Sequence, residues 1–178
     1  LARAVVASHP RTADALVEAA RELSRMTCSI APPLADDDEP EVGVTFVDAA
    51  RAVRDAMRQE GAPAEEVAID RLLAHGRDAA TRLLRRSPAR VALDEATEAA
   101  RSGRRVVFVA EFASEATAAS TRAPANLFVT SRSSAAEVLA ARETDLVLTA
   151  CRGPEAMRLL AELPVAPREA VLLLPPYE

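Results

Sequence analysis

The chain has 178 residues, 49% hydrophobic and 28% charged, with a formal net charge of −5 and a pI near 5.2. That length suits one compact domain, or a helical module joined to a small α/β module, and buries roughly 70% of its surface without disulfide staples. No run approaches the ~20 apolar residues of a membrane span, no charged-then-apolar leader opens the sequence, and the acidic balance disfavours indiscriminate nucleic-acid binding, so the expected setting is the cytoplasm.

The first hundred residues read as helices. Thr12 or Asp14 opens a helix running to about Met26, with Leu16, Ala19, Ala20, Leu23 and Met26 on one face. Residues 34–41, acidic and proline-containing, read as a loop or linker. Asp48 caps a second helix, with Val53 and Met57 on its stripe and Gly61 at its end. Pro63 suits the first turn of a third helix, with Glu65 and Glu66 at its positive dipole end and an interruption expected at Gly76. Asp94 caps a fourth helix, which stops at Gly103.

After Gly103 the pattern changes. The runs at 105–110, 126–130, 145–150 and 170–174 are continuous and apolar, the signature of strands buried on both faces. Helical patterns lie between them, from Ser114 to about Thr121, Ser134 to Arg142 and Pro154 to Leu163. Four strands alternating with three helices predict a Rossmann-like α/β fold with a parallel sheet and right-handed crossovers. The expected division is therefore a helical module over 1–103 and an α/β module over 104–178. A doubly wound sheet normally continues beyond a fourth strand, so the sequence reads as a fragment or a shortened fold.

Ligands of open parallel sheets bind beyond the carboxyl ends of the strands. The second strand end, Thr130-Ser-Arg-Ser-Ser134, is the most informative. Ser134 with Glu137 fits a capping box, which accounts for those two residues. Ser131, Arg132 and Ser133 read either as a solvated loop or, with Ser134, as an anion cradle built from hydroxyls and a planar guanidinium fork. At the third strand end Arg152 and Gly153 extend that cradle, since Gly lets a backbone approach an anion closely. Arg132 and Arg152 are expected to face one crevice from adjacent strands. Beside them, Cys151 has two readings. A helix dipole and Arg152 lower a thiol pKa and favour a nucleophile, whereas the absence of a nearby His favours a small buried hydrophobe. Glu111, at the first strand end, is the candidate proton-handling partner for any such chemistry.

Nothing in the sequence calls for a metal or a cofactor. His9 and His75 have no second ligand at helical spacing, Cys28 and Cys151 are too scattered for a zinc site, and residues 36–39 lack the spacing of a calcium loop. No helix-turn-helix with a basic recognition helix is present. All the basic residues are Arg, and alanine fills 40 positions. Alanine-rich helices contribute little apolar area per side chain, which favours burial of some surface by a second copy or a protein partner.

The segment Leu127 to Leu139, with Ser131-Arg-Ser-Ser134 at its centre, resembles the strand–Ser-Arg-Ser-Ser–helix segment of one superfamily. That superfamily joins the regulatory subunits of translation initiation factor two-B with aldose–ketose sugar-phosphate isomerases. The turn Cys151-Arg-Gly-Pro-Glu155 is similar to the family's Glu-Ser-Arg-Pro-Gly-Gly-Glu turn, where Arg contributes to a phosphate site. Residues 20–32 resemble its helix followed by an Arg-Pro-Ser-Met-Ala-Pro turn. The isomerases place their catalytic Cys where Arg132 stands here, and their catalytic Asp and Asn-Lys-Gly segment fall after residue 178. The resemblance therefore implies a non-catalytic or regulatory member that binds a sugar phosphate or nucleotide and assembles with itself or with partners. Two alternatives remain open: a sugar-phosphate isomerase or other enzyme using Cys151, and a structural or regulatory subunit without a small ligand.

Overall fold

The computed structural model describes residues 8–30, 41–61, 63–151, 157–159, 161 and 169–172. The elements are α1 (Pro10–Cys28), α2 (Glu41–Glu60), α3 (Glu66–Arg85), α4 (Pro88–Arg101), β1 (Val106–Ala110), α5 (Ala113–Ser120) and β2 (Leu127–Ser131). A 3-10 turn (Arg132–Ser134), α6 (Ala135–Ala141), β3 (Leu146–Thr149) and β4 (Glu169–Leu172) complete the order. The chain divides into two compact units: Leu1–Met26 with Pro32–Arg85, and Thr27–Ala31 with Arg86–Glu178.

The first unit is helical. Ala13, Leu16, Ala19 and Met26 of α1 share a core with Phe46, Ala50, Val53 and Met57 of α2 and Ile69, Leu73 and Ala80 of α3. The helix expected to begin at Asp48 starts at Glu41, which draws Phe46 into that core at 1% exposure. No break occurs at Gly76. The glycine lies inside an unbroken α3 because a Cβ there would meet the Phe46 ring at 2.5 Å. Glycine is needed at this point for close approach rather than for flexibility.

The second unit is a three-layer α/β fold. Its four strands run parallel in the order β2-β1-β3-β4. Every residue of β1 is buried, as the continuous apolar run requires. On one face Val106, Phe108 and Ala110 pack with Leu146 and Leu148 against Ala89, Ala92, Ala96 and Ala100 of α4 and Ala116 of α5. On the other, Val107, Val109 and Val147 pack against Ala135 and Leu139 of α6 and against Leu159. The small alanine faces let α4 lie close on the sheet. Helix α4 thus belongs with the strands, and the compact units part between Arg85 and Arg86 rather than at residue 103.

Asp94 is not the cap of α4. The helix opens seven residues earlier, where Ser87 accepts a hydrogen bond from the Arg90 amide at 3.0 Å and Pro88 occupies the first turn. Asp94 instead pairs with Arg90 one turn before it, at 3.2 Å. Ser87 also donates to the Ser29 carbonyl, while Glu115 at the start of α5 accepts from the Ser29 hydroxyl and, at 2.9 Å, from the Ile30 amide. Three polar side chains therefore fasten residues 29–30 to the α/β unit, with Ile30 buried in its core. Of the acidic segment expected at 34–41, residues 34–40 lie outside the described residues, and Glu41 opens α2.

Candidate functional site

Strand order decides where the site lies. From β1 the chain passes through α5 on one face to β2. From β2 it returns over the opposite face through α6, passes β1, and forms β3 on the far side. The connections leaving β1 and β3 thus diverge to opposite faces, the geometry that opens a crevice at the carboxyl ends of those two strands. The expectation that Arg132 and Arg152 project from adjacent strands is corrected by this order. Strands β2 and β3 flank β1 and do not touch each other.

Register then aligns the side chains. Ala110 of β1 stands opposite Ser131 of β2, and Val109 of β1 stands opposite Thr149 of β3. One step beyond the first pair and two beyond the second, Arg132, Glu111 and Cys151 form a row across three strands. By strand alternation all three belong to the face covered by α6. The Arg132 Nη1 lies 3.3 Å from Glu111 Oε1, with the guanidinium side chain 43% exposed and the carboxylate side chain 12% exposed. The second carboxylate oxygen, Glu111 Oε2, is buried and has no hydrogen-bond partner among the described residues.

The serines beside Arg132 sit in a 3-10 turn. Ser131 Oγ and Ser133 Oγ are 2.9 Å apart, and Ser131, Ser133 and Ser134 all reach solvent. The capping box between Ser134 and Glu137 does not form. Ser134 already has helical backbone angles, φ −108° and ψ −1°, and its side chain makes no capping bond. The tight turn takes up the residue expected as the cap, and Ser134 is exposed. Arg152 and Gly153 lie outside the described residues.

Cys151 is 1% exposed, with its amide donating to Thr149 Oγ1 at 3.1 Å and its sulfur packed in the core shared with α6. Burial pushes the thiol up to about 12, opposed by the Thr149 hydroxyl and reinforced by the negative Glu111 carboxylate, with Arg132 acting weakly downward. The lowered thiol pKa expected from a helix dipole and Arg152 is therefore reversed. Desolvation outweighs the Thr149 hydrogen bond and the Arg132 charge, and the thiol is protonated at neutral pH.

Sequence reasoning assigned Glu111 only a proton-handling role and missed its central place. The doubly wound strand order carried the signal, because it puts the first strand between the second and third. No family model, curated protein or solved structure matches the chain. Among the described residues no helix is long and apolar enough to cross a membrane.

Proposed function

We propose that the α/β unit binds a phosphorylated small molecule, a sugar phosphate or a nucleotide, at the carboxyl edge of β1, β2 and β3, and serves as a binding or regulatory module. One observation carries this reading: a half-exposed guanidinium, Arg132, is held by Glu111 at the carboxyl edge beside the β1–β3 switch point, and Ser131, Ser133 and Ser134, which adjoin it in sequence, all reach solvent. Guanidinium and hydroxyl groups are the donors that recognise phosphate oxygens. The resemblance of residues 127–139 to the initiation factor two-B and sugar-phosphate isomerase superfamily points to the same ligand class. Non-covalent binding is favoured over a thiolate mechanism, because the candidate nucleophile is buried and protonated.

The test is calorimetric titration of the purified chain with ribose 5-phosphate and with adenosine monophosphate. Binding by the wild type, lost in Arg132→Ala and retained in Arg105→Ala at the opposite end of β1, is the expected result. Absence of binding at millimolar ligand, or equal binding by Arg132→Ala, refutes the reading.

A further inference from the structure

The Glu111 carboxylate is only half used. One oxygen receives Arg132 at 3.3 Å, while Oε2 is buried with no hydrogen-bond partner among the described residues. Across the sheet its other neighbour in the row is Cys151, whose thiol is a weak donor. Buried carboxylate oxygens normally receive strong donors, and an exception at a strand end that opens on a ligand crevice has a functional explanation available.

We infer that Glu111 Oε2 accepts a hydroxyl of the ligand, so the site selects a phosphate ester carrying hydroxyl groups close to the phosphorus rather than a bare anion. This inference rests on the phosphate-binding reading and adds a second point of recognition to it. The two carboxylate oxygens are separated by one carbon. A ligand phosphate on Arg132 therefore brings a sugar hydroxyl a few bonds beyond the ester oxygen, such as the 3-hydroxyl of ribose 5-phosphate, to Oε2. Such a ligand satisfies both ends of the Arg132–Glu111 pair, whereas methyl phosphate meets the cation and leaves the carboxylate oxygen bare. Glu111 acts here as a specificity residue; Arg132 supplies affinity for any phosphate ester.

The experiment compares ribose 5-phosphate with methyl phosphate, a monoester of the same charge without hydroxyls, by titration calorimetry on the wild type and on Glu111→Gln. The wild type is expected to prefer ribose 5-phosphate by about tenfold or more, the effect of a hydrogen bond to a charged group. Glu111→Gln is expected to erase that preference while binding methyl phosphate as tightly as the wild type or more tightly, since Arg132 loses its internal competitor. Equal affinity of the wild type for the two esters overturns the inference and leaves the phosphate reading standing. So does equal weakening of both in Glu111→Gln, which reduces Glu111 to a support for Arg132. Failure of the wild type to bind either ester overturns both readings. The wild-type comparison alone decides if Glu111→Gln does not fold.

Discussion

Substituting Gly76 by Ala tests the packing of the helical unit at its tightest point. In an ordinary helix interior this change is favourable by about 1 kcal/mol, because glycine has the larger unfolded-state entropy. Here the new Cβ would lie 2.5 Å from Phe46 Cζ, 3.3 Å from Phe46 Cε2 and 3.4 Å from Leu23 Cδ1. Carbon atoms rest at about 3.5–4.0 Å, so the overlap with the ring is about 1 Å. Phe46 is 1% exposed and cannot swing into solvent. Overpacking of this kind costs roughly 1–3 kcal/mol, and a full ångström on a rigid ring belongs at the upper end. Set against the helical gain, the net loss is about 1–2 kcal/mol. Urea denaturation followed by circular dichroism reads this as a lower midpoint with unchanged slope. In a Phe46→Leu background the obstructing ring is gone, and Gly76→Ala becomes neutral or stabilising, giving a coupling energy of about 1–3 kcal/mol between the two positions. A raised midpoint for Gly76→Ala in the native background refutes the close approach.

Glu60 reaches across from α2 to cap α1, accepting at 3.0 Å from the amides of Arg11 and Thr12 and from the Thr12 hydroxyl. Although desolvation raises its pKa, those bonds outweigh it and hold the carboxyl below its ordinary value of 4.5. Its stabilising contribution is therefore complete above the unfolded-state pKa and lost as pH falls through the folded-state value. Glu60→Gln should lower stability near neutrality and flatten the acid limb of a pH titration of the urea midpoint, and an unchanged acid limb counts against the cap. Ser87→Ala removes the α4 cap and the hydroxyl that donates to the Ser29 carbonyl, so a loss of about 1–2 kcal/mol is expected in urea unfolding, and a change of a few tenths refutes the dual role. Cys151 should resist iodoacetamide at pH 7–9 unless the protein is unfolded; rapid native labelling at neutral pH would contradict its burial. Because its folded pKa is raised from 9.0 to about 12, the unfolded chain loses the proton first, and stability should decline as pH climbs through that interval.

The strands were legible because burial on both faces leaves an unbroken apolar run, and Val106–Ala110 fills its predicted segment apart from Arg105. Arg105 is kept out of the core by Asp145, whose carboxylate takes its backbone amide at 3.0 Å and its guanidinium at 3.1 Å. Helix ends were harder to read. Asp94 and Ser134 both carry capping chemistry, yet one serves an ion pair within a helix and the other sits in a 3-10 turn. Local patterns name residues able to cap without saying which of several does. Gly76 misled for a different reason: its meaning depends on Phe46, 30 positions away and on another helix. The row at the site was hidden in the same way. Arg132, Glu111 and Cys151 were each singled out, but their alignment follows from strand order and register, which are properties of the pairing rather than of any segment.

The two ends of the sheet are built with opposite logic. At the amino end, Arg105 is held by Asp145 and Glu143, and Arg104 reaches Glu169 of β4 at 2.7 Å. Those ion pairs bind the central strand to both strands on one side of it, and their acids are partly or largely exposed, so each pair contributes little energy while together they fix register. At the carboxyl end Arg132 meets, at 3.3 Å, a carboxylate that is mostly buried, and the remaining oxygen of that carboxylate has no hydrogen-bond partner among the described residues. This pair joins β1 to β2, which the amino-end pairs do not reach, and it leaves one buried carboxylate oxygen without a donor among the described residues. On the proposed reading, the same acid–base pairing, placed beside the point where the chain diverges to opposite faces, receives its missing donor from the ligand.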